Sequence, residues 1–381
     1  MANIESLHQS AAAKYEEKKL DEALKIYQEI IKLNPIDEVA LSCVMDIYLE
    51  LDDKFNYYLS RANVNIAQNK MEYAIKDTKK ALEIDFENVE AKRKLARLYK
   101  VDGKNLKAID EFLRLLEFAP NEIDAYFELV DLYMKEDSLE GAINIAQKAL
   151  EQFNDNANVK NMLAQLYFKA NDFKSALDVV EDKFLKIKIL LQNEQNEQAH
   201  KELQKYNPDS LTKEEKISYY LLIAQYNYNN KNFKEALNNI DDYVKFASPD
   251  AVSFQMRALI YEEMNDDFSA YLNWGFCKKL QGKIDEAIVE FSNAYNIKNE
   301  DKTVLIELAN LYEQNKERFV SIEYWQKVYE LDKDEHAKEV LAEFYYKEGN
   351  FEKAQEYGKA VEIKEENYVG LIDKIMAFFA K

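Results

Sequence analysis

Residues 89–122 have the sequence VEAKRKLARLYKVDGKNLKAIDEFLRLLEFAPNE, and this stretch decides the fold. Leu95 and Tyr99 lie on one face of a predicted first helix, which Gly103 ends because glycine adopts a left-handed backbone at no steric cost. Apolar residues at helical spacing then continue until Pro120, which stops a second helix. The stretch therefore predicts two short antiparallel helices joined by a tight turn.

Small residues repeat this pattern along the chain at equal intervals, at Ala74, Ala108, Ala142 and Ala176. Later units place small residues at the same point of their second helices, at Ala236, Ala287, Ser321 and Ala354. A period of about 34 residues predicts a solenoid, because one helical hairpin cannot bury its apolar face alone and successive hairpins must stack on one another.

The pattern resembles the tetratricopeptide repeat, in which small residues lie where two helices touch, aromatic residues fill the gaps and proline closes the unit. The resemblance implies a right-handed superhelical α-solenoid, so we predict an all-α protein of about ten helical hairpins. Composition agrees, because only 7 glycines and 4 prolines occur among 381 residues, fewer than loops or sheets require.

The period fails at two places, and both failures have the same length. Ala23 to Ala74 and Ala236 to Ala287 each span one and a half periods instead of one. Each gap therefore predicts an extra half-repeat helix, at residues 38–51 and 251–264. Because the two insertions share their register and their neighbouring residue types, we interpret the chain as a duplicated array.

The strongest turn signal divides the chain into two predicted arrays. Asn207-Pro208-Asp209-Ser210 combines the residues that favour turns, so we place the N-terminal array at residues 1–208 and the C-terminal array at 209–381. An open stack needs a cap on its last hairpin, and the apolar stripe in residues 366–381 predicts a C-terminal capping helix.

The charge of the chain limits its partners. The net charge of −20 disfavours nucleic acid and anionic membranes, which require a basic face. Residues 51–122 are an exception, with 14 Lys and Arg against 13 Asp and Glu. No apolar stretch is long enough for a membrane span, and the separated Cys43 and Cys277 fit a reducing compartment. We therefore expect a cytoplasmic protein.

Catalytic and cofactor motifs do not occur in the sequence. It contains no G-x-x-x-x-G-K-[ST], G-x-G-x-x-G or G-x-S-x-G stretch. His8, His200 and His336 each lack a second metal ligand three or four residues away. We predict that the protein is not an enzyme and uses neither a cofactor nor a metal ion.

In the family that the chain resembles, the first helix of each unit lines a concave groove that receives an extended peptide or a helix. The resemblance implies peptide-binding residues at the matching positions, which are Asn63, Arg93, Arg97, Lys100, Phe127, Asn161, Phe168 and Lys169. Arg93 and Arg97 are four residues apart and share a helix face, and guanidinium groups suit bidentate capture of a carboxylate.

Some relatives use such residues to grip the acidic C-terminus of chaperones. Asn63, Arg93 and Arg97 match three positions of that clamp, whereas His8 and Ala12 stand where Lys and Asn are expected. The prediction is therefore capture of some acidic peptide, with no chaperone implied.

The functional hypothesis is a non-catalytic scaffold or adaptor that binds an extended or helical segment of a partner protein. Two alternatives stay open at the level of sequence. Arg93, Arg97 and Lys100 can instead form a solvated helix face paired with Glu90 and its neighbours. The chain can also be a structural assembly subunit that oligomerises through solenoid faces or its C-terminal helix, and the sequence leaves its oligomeric state open.

Overall fold

The computed structural model describes residues 4–359, and every regular element in that range is a helix. The chain divides into two compact units between Ile189 and Leu190. The boundary predicted at residues 208 and 209 lies further along the chain, at a 3₁₀ turn formed by Pro208–Ser210. The capping helix predicted at residues 366–381 lies outside the described residues.

The first unit consists of helices of similar length that follow one another through short turns. They are α1 (Ile4–Glu16), α2 (Leu20–Leu33), α3 (Glu38–Glu50), α4 (Lys54–Ala67), α5 (Met71–Ile84), α6 (Val89–Val101), α7 (Asn105–Phe118), α8 (Ile123–Lys135), α9 (Leu139–Gln152), α10 (Ala157–Lys169) and α11 (Phe173–Val179). A twelfth helix, α12 (Lys183–Gln192), spans the division between the units.

The second unit continues with the same kind of helices. They are α13 (Asn196–Leu203), α14 (Lys213–Asn229), α15 (Phe233–Ala247), α16 (Ala251–Glu263), α17 (Asp267–Leu280), α18 (Ile284–Ile297), α19 (Lys302–Gln314), α20 (Arg318–Asp332), α21 (Glu335–Lys347) and α22 (Phe351–Glu356). The all-α architecture of tandem helical hairpins predicted from the period is therefore confirmed.

The repeated small residues lie where the two helices of a hairpin touch. In the α6–α7 hairpin Ala96 and Ala108 have no exposed surface, and Leu95 and Phe112 fill the core beside them. The other alanines of the evenly spaced series, Ala74, Ala142 and Ala176, are likewise fully buried. A larger side chain at these positions would force the helices apart, which explains the period in physical terms.

A residue with a left-handed backbone ends the first helix of each hairpin. At Gly103 φ is +72°, and the next backbone N–H, that of Lys104, donates to the Tyr99 carbonyl at 2.9 Å. Within each unit, successive residues of this kind are separated by the same number of residues as the alanines. At one place in each unit the separation is half as long. These residues are Lys18, Asp52, Asn69, Gly103, Asp137 and Asn171, and then Lys231, Asn265, Gly282 and Lys316.

The two half-length separations mark the predicted half-repeat insertions, and the helices predicted at residues 38–51 and 251–264 are α3 and α16. Helix α4 packs against both α3 and α5, and α17 packs in the same way against both α16 and α18. Helix α15 begins a fixed number of residues after α2 begins. The same difference in residue number separates α3 from α16 and each later pair of corresponding helices, up to α7 and α20. The described part of the chain therefore contains the same order of helices twice, with the extra helix at the same place in each copy.

Candidate functional site

Helix α6 supplies the cations of the predicted site. Its start is fixed by Asn88, whose side-chain oxygen accepts a hydrogen bond from the Ala91 N–H at 3.0 Å. With Leu95 and Tyr99 in the core, Arg97 lies on the solvent side and is 48% exposed. The same helix carries Arg93 and Lys100, so the fold brings the three predicted cations together.

Two of these cations share carboxylates on the first helix of the next hairpin. The Arg97 Nε donates to Glu128 at 3.2 Å, and the Lys100 Nζ donates to Glu128 at 2.6 Å and to Asp131 at 2.5 Å. Partial burial alone would lower the pKa of Lys100, but its bonds to both carboxylates outweigh burial and raise it. Hydrogen bonds from Lys100 and from Lys135 lower the pKa of Asp131. The cations are thus held in place and largely neutralised.

Arg93 is neutralised in the same way, by the residue that precedes α8. One of its terminal nitrogens forms an ion pair with Glu122, while its buried Nε has no hydrogen-bond partner. Within the described part of the chain, the ion pairs of α6 do not involve Glu90, which the solvated-face alternative names as a partner. The pairing joins successive repeats instead of successive turns of one helix.

Lys94 belongs to the same site, although the repeat pattern does not predict it. Its Nζ donates to the Asn63 side-chain oxygen and, at 3.4 Å, to the Leu59 carbonyl. No carboxylate of the described residues lies within ion-pair distance of it. Burial lowers the pKa of Lys94 to about 8, against the opposing effect of Glu90. Lys94 contacts α4, the first helix of the preceding hairpin, but it does not occupy one of the family's groove positions, so no sequence signal singles it out.

Two neighbouring cavities open beside these residues. The first, of about 360 Å³, has an apolar wall and a cationic rim, and is lined by Ile66, Met71, Leu98, Val101, Glu90, Arg93, Lys94 and Arg97. The second, of about 500 Å³, shares Glu90 and Lys94 with the first and also includes Asn63 and Tyr48. Together they can accept an aliphatic side chain next to a carboxylate.

The predicted aromatic residues of the site, Phe127 and Phe168, mainly pack against other side chains of the first unit. Phe127 is partly buried and packs against the core of the first unit. Phe168 packs on Phe173, with ring centres 5.9 Å apart, and the Lys188 ammonium lies 5.2 Å from the Phe168 ring. Lys169, at the end of α10, is exposed. These residues lie on later hairpins than the cavities of α4 and α6.

Asn161 is occupied by the backbone of its own chain. Its side-chain oxygen accepts hydrogen bonds from the N–H groups of Glu181, at 2.9 Å, and Asp182, at 2.8 Å. These bonds hold the short connection between α11 and α12. Among the predicted site residues, Asn63, Arg93, Arg97 and Lys100 therefore form one group with Lys94, and Asn161 is separate from it.

The second unit does not reproduce this group. At the offset that relates the two copies, the residues corresponding to Arg93, Lys94 and Arg97 are Ile306, Glu307 and Asn310. Glu307 is neutralised by an ion pair with Lys279. The duplicated helices therefore carry different chemistry on corresponding surfaces.

Nowhere in residues 4–359 do three or more His, Cys, Asp or Glu side chains meet in a way that could hold a metal ion. Nor does that range include a helix with both the length and the apolar character needed to cross a membrane.

Comparison with known proteins identifies the repeat. Residues 133–182, from the end of α8 to the connection after α11, match the family described as Tetratricopeptide repeat. No curated protein matches the chain.

Solved structures that match the chain have low sequence identity and low TM-scores. A structure of Naa15/Naa10 bound to HypK-THB is 14% identical over 93% of this chain and 67% of that one, with a TM-score of 0.36. A tetratricopeptide repeat protein from Parabacteroides merdae is 15% identical over 81% and 98%, with a TM-score of 0.34. The APC/C hetero-tetramer Cut9-Hcn1 is 14% identical over 80% and 55%, with a TM-score of 0.35.

Proposed function

Because this chain is a tetratricopeptide-repeat protein, we propose that it is a non-catalytic interaction scaffold whose first unit binds an acidic segment of a partner protein. The segment lies along α4, α6 and α8. Its carboxylate approaches Arg93, Lys94 and Arg97, and a neighbouring aliphatic side chain enters the apolar cavity.

One observation carries this proposal: the 360 Å³ cavity combines an apolar wall with three cationic side chains of one helix. Apolar burial supplies affinity in such a site, and the charges supply orientation and discrimination. An anion is favoured over a cation because no carboxylate of the described residues lies within ion-pair distance of Lys94, and Glu90 offsets its charge only in part. Glu90, at the rim, favours a segment that carries only a few carboxylates.

The carboxylates of α8 give the site a competitive character. Glu128 already accepts hydrogen bonds from Arg97 and Lys100, so a partner carboxylate must displace it or share the guanidinium group. Arg97 is half exposed and uses only its Nε in that contact, which leaves its terminal nitrogens for a ligand. The expected partner thus binds with moderate affinity and exchanges readily.

Selection from a displayed library of random twelve-residue peptides tests the proposal without a known partner. We expect the full chain to enrich peptides with Asp or Glu next to Leu, Ile or Met. The same selection with a variant carrying Arg93→Glu and Arg97→Glu should lose these peptides. Enrichment of peptides without acidic residues, or the same acidic peptides with both proteins, would refute the site and leave the scaffold role intact.

A further inference from the structure

Lys94 differs from the cations around it in its partners. Its ammonium group contacts two neutral oxygens, the Leu59 carbonyl and the Asn63 amide oxygen, whereas Arg93 and Arg97 each bond a carboxylate. A partly buried ammonium whose hydrogen-bond partners among the described residues are neutral oxygens is poorly stabilised. The neutral amine, which is the nucleophilic form, is therefore more populated at Lys94 than at an exposed lysine.

Lys94 lines both cavities, which are open to solvent, and the residue is partly exposed. A small reagent that enters either cavity therefore meets the Lys94 side chain. Ile66, Met71 and Leu98 give the first cavity an apolar wall that suits a short acyl chain. Arg97 at the rim suits the anionic phosphate of an incoming reagent.

We propose that Lys94 is a nucleophilic amine that short-chain acyl phosphates acylate selectively. The neutral Nζ attacks the acyl carbon, a C–N bond forms and the C–O bond to phosphate breaks. Inorganic phosphate leaves, and the proton lost by the nitrogen passes to phosphate or to the buffer. The product is a neutral amide, so the reaction removes the positive charge of Lys94 from the cavity.

The titration of the amine agrees with these contacts. Burial lowers the pKa of Lys94 to about 8, while Glu90 acts in the opposite direction. The other charged or titratable groups near it are Arg93 and Arg97 on α6, Tyr48 on α3 and Lys32 on α2. At pH 7 about a tenth of a lysine with this pKa is neutral, against about 0.03% of an ordinary exposed lysine.

Reaction of the full chain with acetyl phosphate tests the proposal. Acetylation of each lysine is followed by peptide mass spectrometry at pH 7 and pH 10, with the exposed Lys79 and Lys107 as references. At pH 7 we expect Lys94 to react on the order of tenfold faster than either reference, because more of it is neutral. At pH 10 this advantage should disappear. Equal or slower reaction of Lys94 at pH 7 would overturn the proposal.

Two variants change the reactivity in opposite directions. Asn63→Asp places a carboxylate against Lys94 and should reduce its acetylation at pH 7 to the level of Lys79. Glu90→Gln removes the stabilising charge and should increase the acetylation. Circular dichroism verifies that both variants remain helical. An unchanged ratio of Lys94 to Lys79 in both folded variants would also overturn the proposal. No partner is needed, so the result is independent of groove binding.

Discussion

Arg97 and Glu128 lie on the first helices of successive repeats, and the Arg97 Nε donates to the Glu128 carboxylate at 3.2 Å. Glu128 also accepts a hydrogen bond from Lys100, so one carboxylate restrains two of the cations that the proposal assigns to ligand binding. The contact stiffens the side chains and competes with an external carboxylate. This dual effect makes Glu128 the most informative single residue of the site.

Glu128→Gln should tighten the binding of an acidic peptide. The amide keeps the shape of the side chain but removes the charge that Arg97 and Lys100 now neutralise. We expect the dissociation constant to fall by about three- to tenfold, on the order of 1 kcal/mol for a partly exposed ion pair. Fluorescence anisotropy with a labelled peptide from the library selection measures the change.

Glu136→Gln is the matched control for that experiment. It removes the same charge from the C-terminal end of α8, where Glu136 accepts a hydrogen bond from Asn105 at 2.8 Å. The dissociation constant of the peptide from this variant should stay within about twofold of its value for the unmodified chain, because the substitution acts on the site only at long range. Equal effects of the two substitutions would indicate a general dependence on net charge and no local competition.

A partly buried ion pair inside the α4–α5 hairpin gives a prediction about stability. Asp77 is only 4% exposed, and it accepts hydrogen bonds from Arg61 at 2.8 and 2.5 Å and from Asn65 at 3.0 Å. Asp77→Ala leaves the partly exposed Arg61 without its counter-charge and should destabilise the hairpin by about 2–3 kcal/mol. Hydrogen exchange of α4 and α5, followed by mass spectrometry, measures the local free energy of opening.

The double variant Arg61→Leu with Asp77→Leu separates loss of the charge pair from loss of packing. Two apolar side chains remove the desolvation cost of both charges, so exchange should be close to that of the unmodified chain. If the double variant opens as readily as Asp77→Ala, the hydrogen-bond network itself stabilises this hairpin.

Lys94→Met should stabilise the first unit at neutral pH. The folded chain holds the Lys94 ammonium in an unfavourable place, so its pKa lies below that of the unfolded chain. Between pH 8 and 10.5 the folded state has released this proton and the unfolded state has not, so the unmodified chain gains stability as pH rises.

The advantage of the Lys94→Met variant therefore decreases with pH. We expect an advantage of about 1–3 kcal/mol at pH 7, in the range found when buried charges are replaced by apolar groups, and almost none above pH 10.5. The free energy of opening of α4 and α6, measured by hydrogen exchange for both proteins at each pH from 7 to 10, provides the comparison. A constant difference across this range would show that packing, and no charge effect, distinguishes the two side chains.

Asn161→Ala tests whether a predicted groove residue has a structural role. It removes the acceptor for the Glu181 and Asp182 N–H groups. We expect the free energy of opening at the start of α12, measured by hydrogen exchange, to fall by about 1 kcal/mol, as for the loss of a helix cap. Peptide affinity should be unchanged. A large loss of affinity with unchanged exchange would return Asn161 to the binding site.

The fold was predictable because it depends on features that a sequence states directly. The buried alanines fix how closely helices approach, and their spacing reveals both the repeat period and the two half-repeat insertions. The cluster of Arg93, Arg97 and Lys100 was predictable for the same reason, since helical spacing places residues three and four apart on one face.

The chemistry of that cluster was not predictable, because it depends on contacts between repeats. Glu122 and Glu128 lie 29 and 31 residues after the arginines that they neutralise, and no local pattern in the sequence marks those pairs. Lys94 was missed for a similar reason. Its burial, and its lack of a carboxylate partner within residues 4–359, arise from contacts between α6 and α4, which residue spacing does not reveal.

The most direct test of the central claim compares two double charge reversals in the full chain. Arg93→Glu with Arg97→Glu alters the proposed site, and Lys79→Glu with Lys107→Glu changes the net charge equally at two exposed lysines near Tyr99. The dissociation constant of the selected acidic peptide, measured by anisotropy, should rise by about a hundredfold or more for the first variant and by less than about threefold for the second. Equal losses of affinity in the two variants, or no loss in the first, would contradict binding of an acidic segment at this site.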